Sequence, residues 1–404
     1  MLYNCNVKNH SSLISLWKRA LTEVDPVNLL AAHPQIRLKI KASGAATTGF
    51  LFWGKAALRC AEAVGRVSDG TPVLGIAPVE ERAEAALARP FGLWTFAEHP
   101  LPGTGSFLAG QRLLGFFDEL RVREIRHLEI FLSGGASSLA WVRPADWNEE
   151  DLVRQLREWY AQPISIQELN RRRAKLCALK GGGAARCLHR LAPRVRARAW
   201  VISDVTPFGV ETVGSGPFWD DQVSHRVLAD NSTLVDALAR HARAQGWRIA
   251  DSSSGCLAPW EKWAGDLASL TRQALLRGDA ALLLRGGEAR VSLPAGADVR
   301  PGGRQTQVAA ALAALLSEEI AIGRVELLCM SSDGVDGRSG AAGASIARRP
   351  GEDPRQLAAK LRKLGGEARA FTSARGLGRL GYLVPQAPTG TNVQDVTLVR
   401  VRPS

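Results

Sequence analysis

Short apolar segments that end in small or polar residues and then continue as helices recur along this chain. The clearest segment is the apolar run at 128–132, which passes directly into six small residues at 133–138. Similar runs at 49–53 and 199–202 also end in short turns. Strands that alternate with helices predict an α/β fold with layered, mainly parallel sheets. Because ligands bind at the carboxyl ends of parallel strands, we expect these turns to converge on one edge.

A second series of strands and helices follows a predicted helix at 232–245. The sequence therefore predicts two α/β domains, a Rossmann-like domain at 1–245 and a C-terminal domain at 246–404. In the first domain, helices are predicted at 11–31, 106–120, 149–161 and 165–179. In the second, the pattern predicts strands at 248–253, 280–288 and 325–337, helices at 259–277, 306–317 and 353–365, and a tail of paired strands.

The composition is that of a globular chain, with 404 residues, 46% hydrophobic and 23% charged. Six cysteines without a CxxC pair are typical of a reduced, cytoplasmic protein, and we find neither a signal peptide nor a membrane span. The net charge of +13 is compatible with nucleic acid or with anionic substrates. The basic residues are dispersed and no nucleic-acid-binding motif is present, so we expect solvated faces and no nucleic-acid partner.

Three glycine-containing turns could bind an anion through backbone N–H groups. For the turn at 133–138, an anion site and a close strand-to-helix connection are equally good interpretations. For KGGG at 180–183, a helix C-cap is the better interpretation, and for the turn at 300–307 an anion site and a solvated loop are balanced. The chain contains neither a P-loop motif nor a GxGxxG that closes a strand, which argues against the typical P-loop and Rossmann cofactor sites.

Four single residues have both a chemical and a structural interpretation. Lys55 follows a strand and could hold a phosphate, although in isolation an ordinary helix-start lysine is favoured. Asp204 and Asp333 follow strands and could serve as a base, a metal ligand or a turn cap. His99 precedes a proline, which is typical of loop structure.

An ordered set of motifs spans most of the chain and is more specific than any of its members. The set resembles class II glycerate 2-kinases, which carry a C-terminal MOFRL domain. The matching segments are GKAA (54–57), EHPLP (98–102), FLSGGASSLA (131–140), ELNRRRAKLCALKGGGAA (168–185), ISDV (202–205), GSGP (214–217), LLLRGGE (282–288), GGRQTQVAAALAAL (302–315), SSDGVDGRSGAAGA (331–344) and PTGTNVQDV (388–396).

The resemblance implies a glycerate-kinase domain, a MOFRL-type domain and an active-site cleft between them. It implies ATP-dependent, Mg²⁺-assisted phosphorylation of the 2-hydroxyl of D-glycerate, giving 2-phosphoglycerate, or of a closely related small hydroxy acid. The implied partners are the nucleotide and the hydroxy acid, and we expect a homodimer. The resemblance implies the following residues: Lys55, Arg304 and Asp204 as catalytic groups, with Asp204 also a metal ligand; Ser133, Gly134, Gly135, Ala136, Ser137, Ser138, Lys180 and Gly181 for the nucleotide; and His99, Asn170, Glu288 and Asp333 for the substrate.

Several positions depart from the family pattern. Gln307 replaces a glutamate, Gly340 replaces an aspartate, and Ala136 occupies a glycine position. The family's NDSY stretch has no counterpart at 370–376. The loss of two acids weakens the expectation of standard metal binding. The alternative hypothesis is therefore a diverged, non-catalytic family member that binds an anionic ligand or partner.

Overall fold

A computed structural model describes residues 12–32, 47–65, 67, 70–82, 91–162, 164, 166–205, 209–278, 280–293 and 302–402. Its backbone contacts divide the chain into two compact units. The parallel-sheet unit comprises Asp25–Ala229 with Gly390–Asn392, and the mixed-sheet unit comprises Met1–Val24, Asp230–Thr389 and Val393–Ser404. The division at 245/246, the cleft between domains and the homodimer stay predictions.

Amphipathic sequence patterns account for the helices. Helix α1, for example, buries Leu13, Leu16, Trp17 and Ala20, which recur at helical spacing. The α-helices of the described residues are α1 Ser12–Glu23, α2 Pro26–Ala32, α3 Ala57–Val64, α4 Thr104–Val122, α5 Ala136–Leu139, α6 Glu149–Ala161, α7 Ile166–Lys175, α8 Gly183–Leu191, α9 Asn231–Ala244, α10 Trp260–Leu276, α11 Arg304–Leu315, α12 Ser317–Ala321, α13 Pro354–Arg369 and α14 Ser373–Arg379. None of the helices in the described ranges combines the length and the apolar character that crossing a bilayer requires.

The strands form two sheets, one in each unit. The first sheet has the order β3-β2-β1-β4-β5-β6 and the second has the order β11-β10-β9-β12-β8-β7. The strands are β1 Thr48–Trp53, β2 Val73–Pro78, β3 Leu93–Ala97, β4 His127–Ser133, β5 Arg196–Ile202, β6 Val223–Ala229, β7 Arg248–Pro259, β8 Ala281–Arg290, β9 Val325–Ser331, β10 Ala341–Ile346, β11 Leu383–Pro385 and β12 Asp395–Val401.

Every pairing in the first sheet is parallel, which confirms the predicted arrangement for this unit. Strands β1, β2 and β4 are buried along almost their whole length, as expected for a parallel sheet that is covered on both faces. On one face the ring of Trp53 meets Phe218 edge-on at 6.2 Å, and on the other Phe52 stacks on Phe131 at 5.1 Å. Strands β3 and β6 were not predicted.

The second sheet is mixed, so the prediction of mainly parallel sheets is wrong for this unit. Strands β7 and β8 are parallel, but the C-terminal strand β12 runs antiparallel to both β8 and β9. Strand β10 is also antiparallel to β9. The direction of β12 depends on partners more than 60 residues away, Ser331 among them, which local periodicity does not encode.

Two predicted boundaries also change. The helix predicted at 165–179 is α7, which ends at Lys175. The KGGG segment at 180–183 is not a C-cap, because it leads into α8 with Gly182 as the N-cap residue. Residues 300–301 of the predicted turn at 300–307 lie outside the described residues, whereas Arg304 begins α11.

Candidate functional site

The carboxyl ends of β1, β4 and β5 lie at one level in the parallel sheet. Trp53 at the end of β1 is paired with Leu132 in β4, and Ser133 is paired with Ile202 in β5. The turns that follow these strands therefore leave the sheet at the same edge, as the sequence predicts. This edge is the usual location of ligand sites in open α/β sheets.

Hydrogen bonds join the turn after β1 to the turn after β4. The backbone N–H of Lys55 donates to the carbonyl of Gly134 at 3.0 Å. The N–H of Ala56 donates to the hydroxyl of Ser133, also at 3.0 Å, and Ser133 is buried. The backbone of Lys55 is thus held against the glycine turn, which fixes where its side chain starts.

Gly134 lies directly against a polar pair of side chains. The amide of Asn392 donates to Oδ2 of Asp204 at 3.0 Å. A Cβ atom on Gly134 would lie 1.9 Å from that same carboxylate oxygen and 2.8 Å from Nδ2 of Asn392. Only glycine allows the backbone to approach the Asp204–Asn392 pair this closely.

Gly135 brings two further candidate side chains to the turn. Its φ of +81° lies in the left-handed region, where side chains other than glycine are strained. A Cβ atom here would lie 3.0 Å from Cγ of Lys55 and 3.4 Å from the ring of His99. The stem of Lys55 and the imidazole of His99 therefore flank the same glycine.

Residues 136–139 form the single helical turn α5. Ala136 is buried against Gly214, where an added Cβ atom would lie 2.9 Å from the Ala136 methyl group. The hydroxyl of Ser138 donates to the carbonyl of Gly135 at 3.1 Å. The alanine in the family's glycine position is thus accommodated by a neighbouring glycine.

Two buried cations reach the carbonyl oxygen of Ser137. The ammonium of Lys180 and the guanidinium of Arg173, which lies at 3.0 Å, both donate to it. Arg173 also donates to the side-chain oxygen of Asn170 at 3.1 Å. Burial lowers the pKa of Lys180 to about 7, and the charge of Arg173 acts in the same direction. Lys180 therefore contacts the turn itself.

Gly181 belongs to the turn that precedes α8. Its φ is +54°, and its N–H donates to the carbonyl of Ser215 at 2.9 Å. The neighbouring Gly182 donates to the carbonyl of Gly216 at 2.7 Å. The backbone N–H groups of these two glycines are therefore engaged within the protein.

The mixed-sheet unit holds the remaining candidate residues in a cluster around Arg304. The guanidinium pairs with Glu288 and lies 4.0 Å from Oδ2 of Asp395. Burial would lower the pKa of Arg304, but Glu288, Asp395, Asp336 and Asp333 outweigh it and raise that pKa. Burial raises the pKa of Asp395 to about 7 in spite of the attraction of Arg304. The cluster keeps the arginine charged and makes Asp395 hard to ionise.

Asp333 and Asp336 have structural contacts within this cluster. The carboxylate of Asp336 accepts the N–H groups of Gln305 at 2.9 Å and Thr306 at 2.8 Å, and so caps α11. The carboxylate of Asp333 accepts the N–H of Val335 at 3.0 Å, which closes a local turn.

The two departures from acidic residues have different surroundings. Gln307 is buried, donates from its amide to the carbonyl of Ala368 at 2.7 Å and accepts the hydroxyl of Ser373 at 2.7 Å. An amide satisfies both partners, whereas an ionised glutamate could not donate to the carbonyl. Gly340 faces open space and has a φ of +71°.

Among the described residues, no three or more His, Cys, Asp or Glu side chains are grouped closely enough to hold a metal ion. Asp204 supplies one carboxylate, with Asn392 beside it. Such a site fits Mg²⁺, which usually takes one or two protein carboxylates and completes its shell with water and phosphate oxygens.

Comparison with protein-family models finds two matches. Residues 12–244 match the domain of unknown function DUF4147, and residues 281–395 match the MOFRL family. The first match alone covers more than half of the chain. The chain belongs to the DUF4147 family. The expected resemblance to the MOFRL-containing glycerate 2-kinases is confirmed at this level.

The relatives of this DUF4147 protein are distant and carry more than one name. It is 26% identical to the D-glycerate 2-kinase of Thermotoga maritima over 75% of this chain and 78% of the relative. It is 27% identical over 76% of each chain to an Agrobacterium vitis protein named "Putative hydroxypyruvate reductase". The crystal structure of glycerate kinase from Thermotoga maritima matches 96% of this chain and 98% of its own at a TM-score of 0.71 and 22% identity, which shows a shared fold.

Within the DUF4147 protein, the structure brings Lys55, His99, Asp204 and the 133–138 turn to one sheet edge. It places Arg304, Glu288 and Asp333 together in the mixed-sheet unit. Sequence reasoning did not single out Asn392 or Arg173, although both lie inside quoted motifs, at 388–396 and 168–185. Asn392 contacts Asp204, 188 residues away, and Arg173 contacts Ser137, 36 residues away, so only motif membership could have signalled these contacts.

Proposed function

We propose that this protein is an ATP-dependent kinase of a small hydroxy acid, with D-glycerate as the first candidate. The observation that carries the proposal is the meeting of Lys55, Asp204 and the glycine turn at the carboxyl edge of the parallel sheet. Membership of the DUF4147 family and the name of the Thermotoga maritima relative, D-glycerate 2-kinase, support it.

Phosphoryl transfer requires alignment and charge compensation more than covalent chemistry. In the proposed reaction, backbone N–H groups of the turn and the ammonium of Lys55 hold the phosphates of the nucleotide. Lys55 would balance the negative charge that develops on the transferred group. Because its backbone is bonded to Gly134, the start of its side chain is fixed before the nucleotide binds.

Asp204 is proposed to orient the attacking 2-hydroxyl or to hold Mg²⁺. A bound Mg²⁺ would neutralise phosphate charge, which is its general role in such enzymes. The amide of Asn392 engages one oxygen of the Asp204 carboxylate and thereby sets the direction of the other oxygen. His99, Asn170, Glu288 and Asp333 as substrate contacts, and Arg304 as a second catalytic cation, stay predictions.

The alternative proposal is a non-catalytic family member that binds an anionic ligand or partner. The replacement of two family acids by Gln307 and Gly340 favours it. The replacement by Gln307 supports this alternative less, because the Gln307 amide already bonds Ala368 and Ser373 within the mixed-sheet unit. An acid at position 340 would meet open space, but its backbone would be strained by the φ of +71°.

A coupled assay of ADP release with a panel of hydroxy acids tests the proposal. We expect turnover with D-glycerate, near-complete loss in Lys55→Ala, and no change in Lys262→Ala, whose exposed side chain pairs with Asp266. Hydroxypyruvate with NADH or NADPH is assayed in parallel, because some relatives carry the reductase name.

The alternative outcomes are distinct. No turnover with any acid, together with an unchanged melting temperature in ATP and Mg²⁺, would contradict the kinase proposal. Binding of ATP by calorimetry without turnover would support the non-catalytic alternative. Turnover that survives in Lys55→Ala would show that the proposed site does not carry the reaction.

A further inference from the structure

Two buried cations, Arg173 and Lys180, lie next to the 133–138 turn. Arg173 and Lys180 are 3% and 4% exposed. Among the residues that the structure describes, no carboxylate lies within ion-pair distance of either side chain. Nε of Arg173 is buried and has no hydrogen-bond partner. Isolated buried charges are strongly unfavourable, so this arrangement calls for a reason other than stability.

Both cations converge on Ser137, and Arg173 also donates to its hydroxyl oxygen at 3.2 Å. The carbonyl of Ser137 accepts hydrogen bonds from Arg173, from Lys180 and from the indole N–H of Trp141 at 3.0 Å. A carbonyl oxygen has two lone pairs, and the indole already satisfies one of them. Two neutral donors would hold this oxygen equally well, so hydrogen bonding alone does not account for two basic side chains here.

Aromatic rings form the remaining surroundings. The ammonium of Lys180 lies 4.5 Å from the ring centroid of Trp141, and the guanidinium of Arg173 lies 5.9 Å from the centroids of Trp141 and Tyr160. Ring faces compensate positive charge only in part. Ser137 is half-buried, so the positive potential of the two cations extends to the solvent-exposed side of the turn.

We propose that Arg173 and Lys180 form an internal cationic clamp, which positions the 133–138 turn and supplies the positive potential that an anionic ligand of that turn requires. This inference rests on the proposed function, in which the turn takes the phosphates of the nucleotide. Arg173 also bonds to the side chain of Asn170, a predicted substrate residue, so one guanidinium positions both segments. Arg173 and Lys180 are positioning residues and do not contact the reacting atoms.

The clamp predicts that anion binding depends on pH. The pKa of Lys180 is near 7, and the titratable groups that act on it are Arg173 and Cys177. As pH rises through 7, Lys180 loses its proton and the turn loses potential. Sulfate is a suitable probe because it stays a dianion throughout this range.

Calorimetric titration of the full chain with sulfate at pH 6 and pH 9 tests the clamp. Arg173→Gln and Lys180→Gln keep hydrogen-bond donors and remove charge, and each should weaken sulfate binding at pH 6 by about tenfold. Arg171→Gln is the matched control, because Arg171 lies on the same helix with an exposed side chain paired to Glu168. Lys180→Arg stays charged and should bind sulfate more tightly than the wild type at pH 9.

Several outcomes would overturn the clamp. These are sulfate affinities of both Gln variants within about twofold of the control, an unchanged pH dependence in Lys180→Gln, or no sulfate binding by the wild type. If the Gln variants fail to fold, as judged by circular dichroism, the pH 9 comparison of Lys180→Arg with the wild type decides. Clamp-dependent sulfate binding without ATP turnover would contradict the kinase proposal and leave the clamp standing. Turnover with an unchanged KM for ATP in the Gln variants would contradict the clamp and leave the kinase proposal standing.

Discussion

Replacing Gly134 by alanine places a methyl group inside the Asp204–Asn392 pair. The added Cβ atom would lie 1.9 Å from Oδ2 of Asp204, 2.4 Å from its Cγ and 2.8 Å from Nδ2 of Asn392. A non-bonded carbon requires about 3.5 Å, so the Asp204 carboxylate must move by about 1.6 Å and the Asn392 amide by about 0.7 Å. Overpacking of this kind costs about 1–3 kcal/mol of unfolding free energy.

The effect on activity should exceed the effect on stability. A shift of about 1 Å in a catalytic group can reduce the rate by about 100-fold, because alignment is lost. We therefore expect Gly134→Ala to lower kcat for the coupled ADP-release reaction by that factor while the protein remains folded. Urea denaturation gives the change in unfolding free energy on the same preparation.

Gly115→Ala is the matched control. Gly115 lies in the interior of α4, and an added Cβ atom meets nothing within 4 Å. The substitution should stabilise the helix by about 0.5–1 kcal/mol and leave kcat unchanged. If Gly134→Ala retains wild-type activity, Asp204 and Asn392 do not form the reacting edge, and the assignment of this site would be refuted.

Three further predictions concern the mixed-sheet unit. The folded-state pKa of Asp395, about 7, exceeds the ordinary value of 3.8. The free energy of unfolding therefore falls as pH rises from 4 to 7, by about 4 kcal/mol. Asp395→Asn should flatten this slope in urea titrations at several pH values, and parallel curves would contradict the reasoning. Gln307→Glu should destabilise the protein by about 2 kcal/mol at pH 8 and less at pH 5, measured by thermal unfolding, because an ionised carboxylate cannot donate to Ala368. An equal loss at both pH values would argue against that cause. Asp336→Ala should cost about 1–2 kcal/mol by urea denaturation through loss of the α11 cap, and Asp336→Asn should cost less.

The first sheet could be predicted because its signals are local. Apolar runs followed directly by small residues predict β1 and β4. Because these strands are parallel, their turns lie at the same edge of the sheet. The place of Lys55 after a strand drew attention to it, but position alone favoured an ordinary helix-start lysine, and its catalytic role came from the family resemblance. Strand β3 was missed, since its central residues Trp94 and Phe96 are only half-buried and the run is short.

The direction of β12 and the partners of the site could not be predicted in this way. Asn392 reaches Asp204 across 188 residues of sequence, and Arg173 reaches Ser137 across 36. No local pattern records such contacts, because they arise when separate segments pack together. The same holds for the pKa of Lys180, which burial determines.

The sequence by itself determined the alternation of strands and helices and the glycine turn, because these follow from neighbouring residues. It also determined the family, through an ordered set of short motifs along the chain. Tertiary structure alone decided that the second sheet is mixed, that Gly134 lies against Asp204, and that two buried cations contact the carbonyl of Ser137. The physical reason is that hydrogen bonding, steric exclusion and desolvation act between atoms close in space, whatever their separation along the chain.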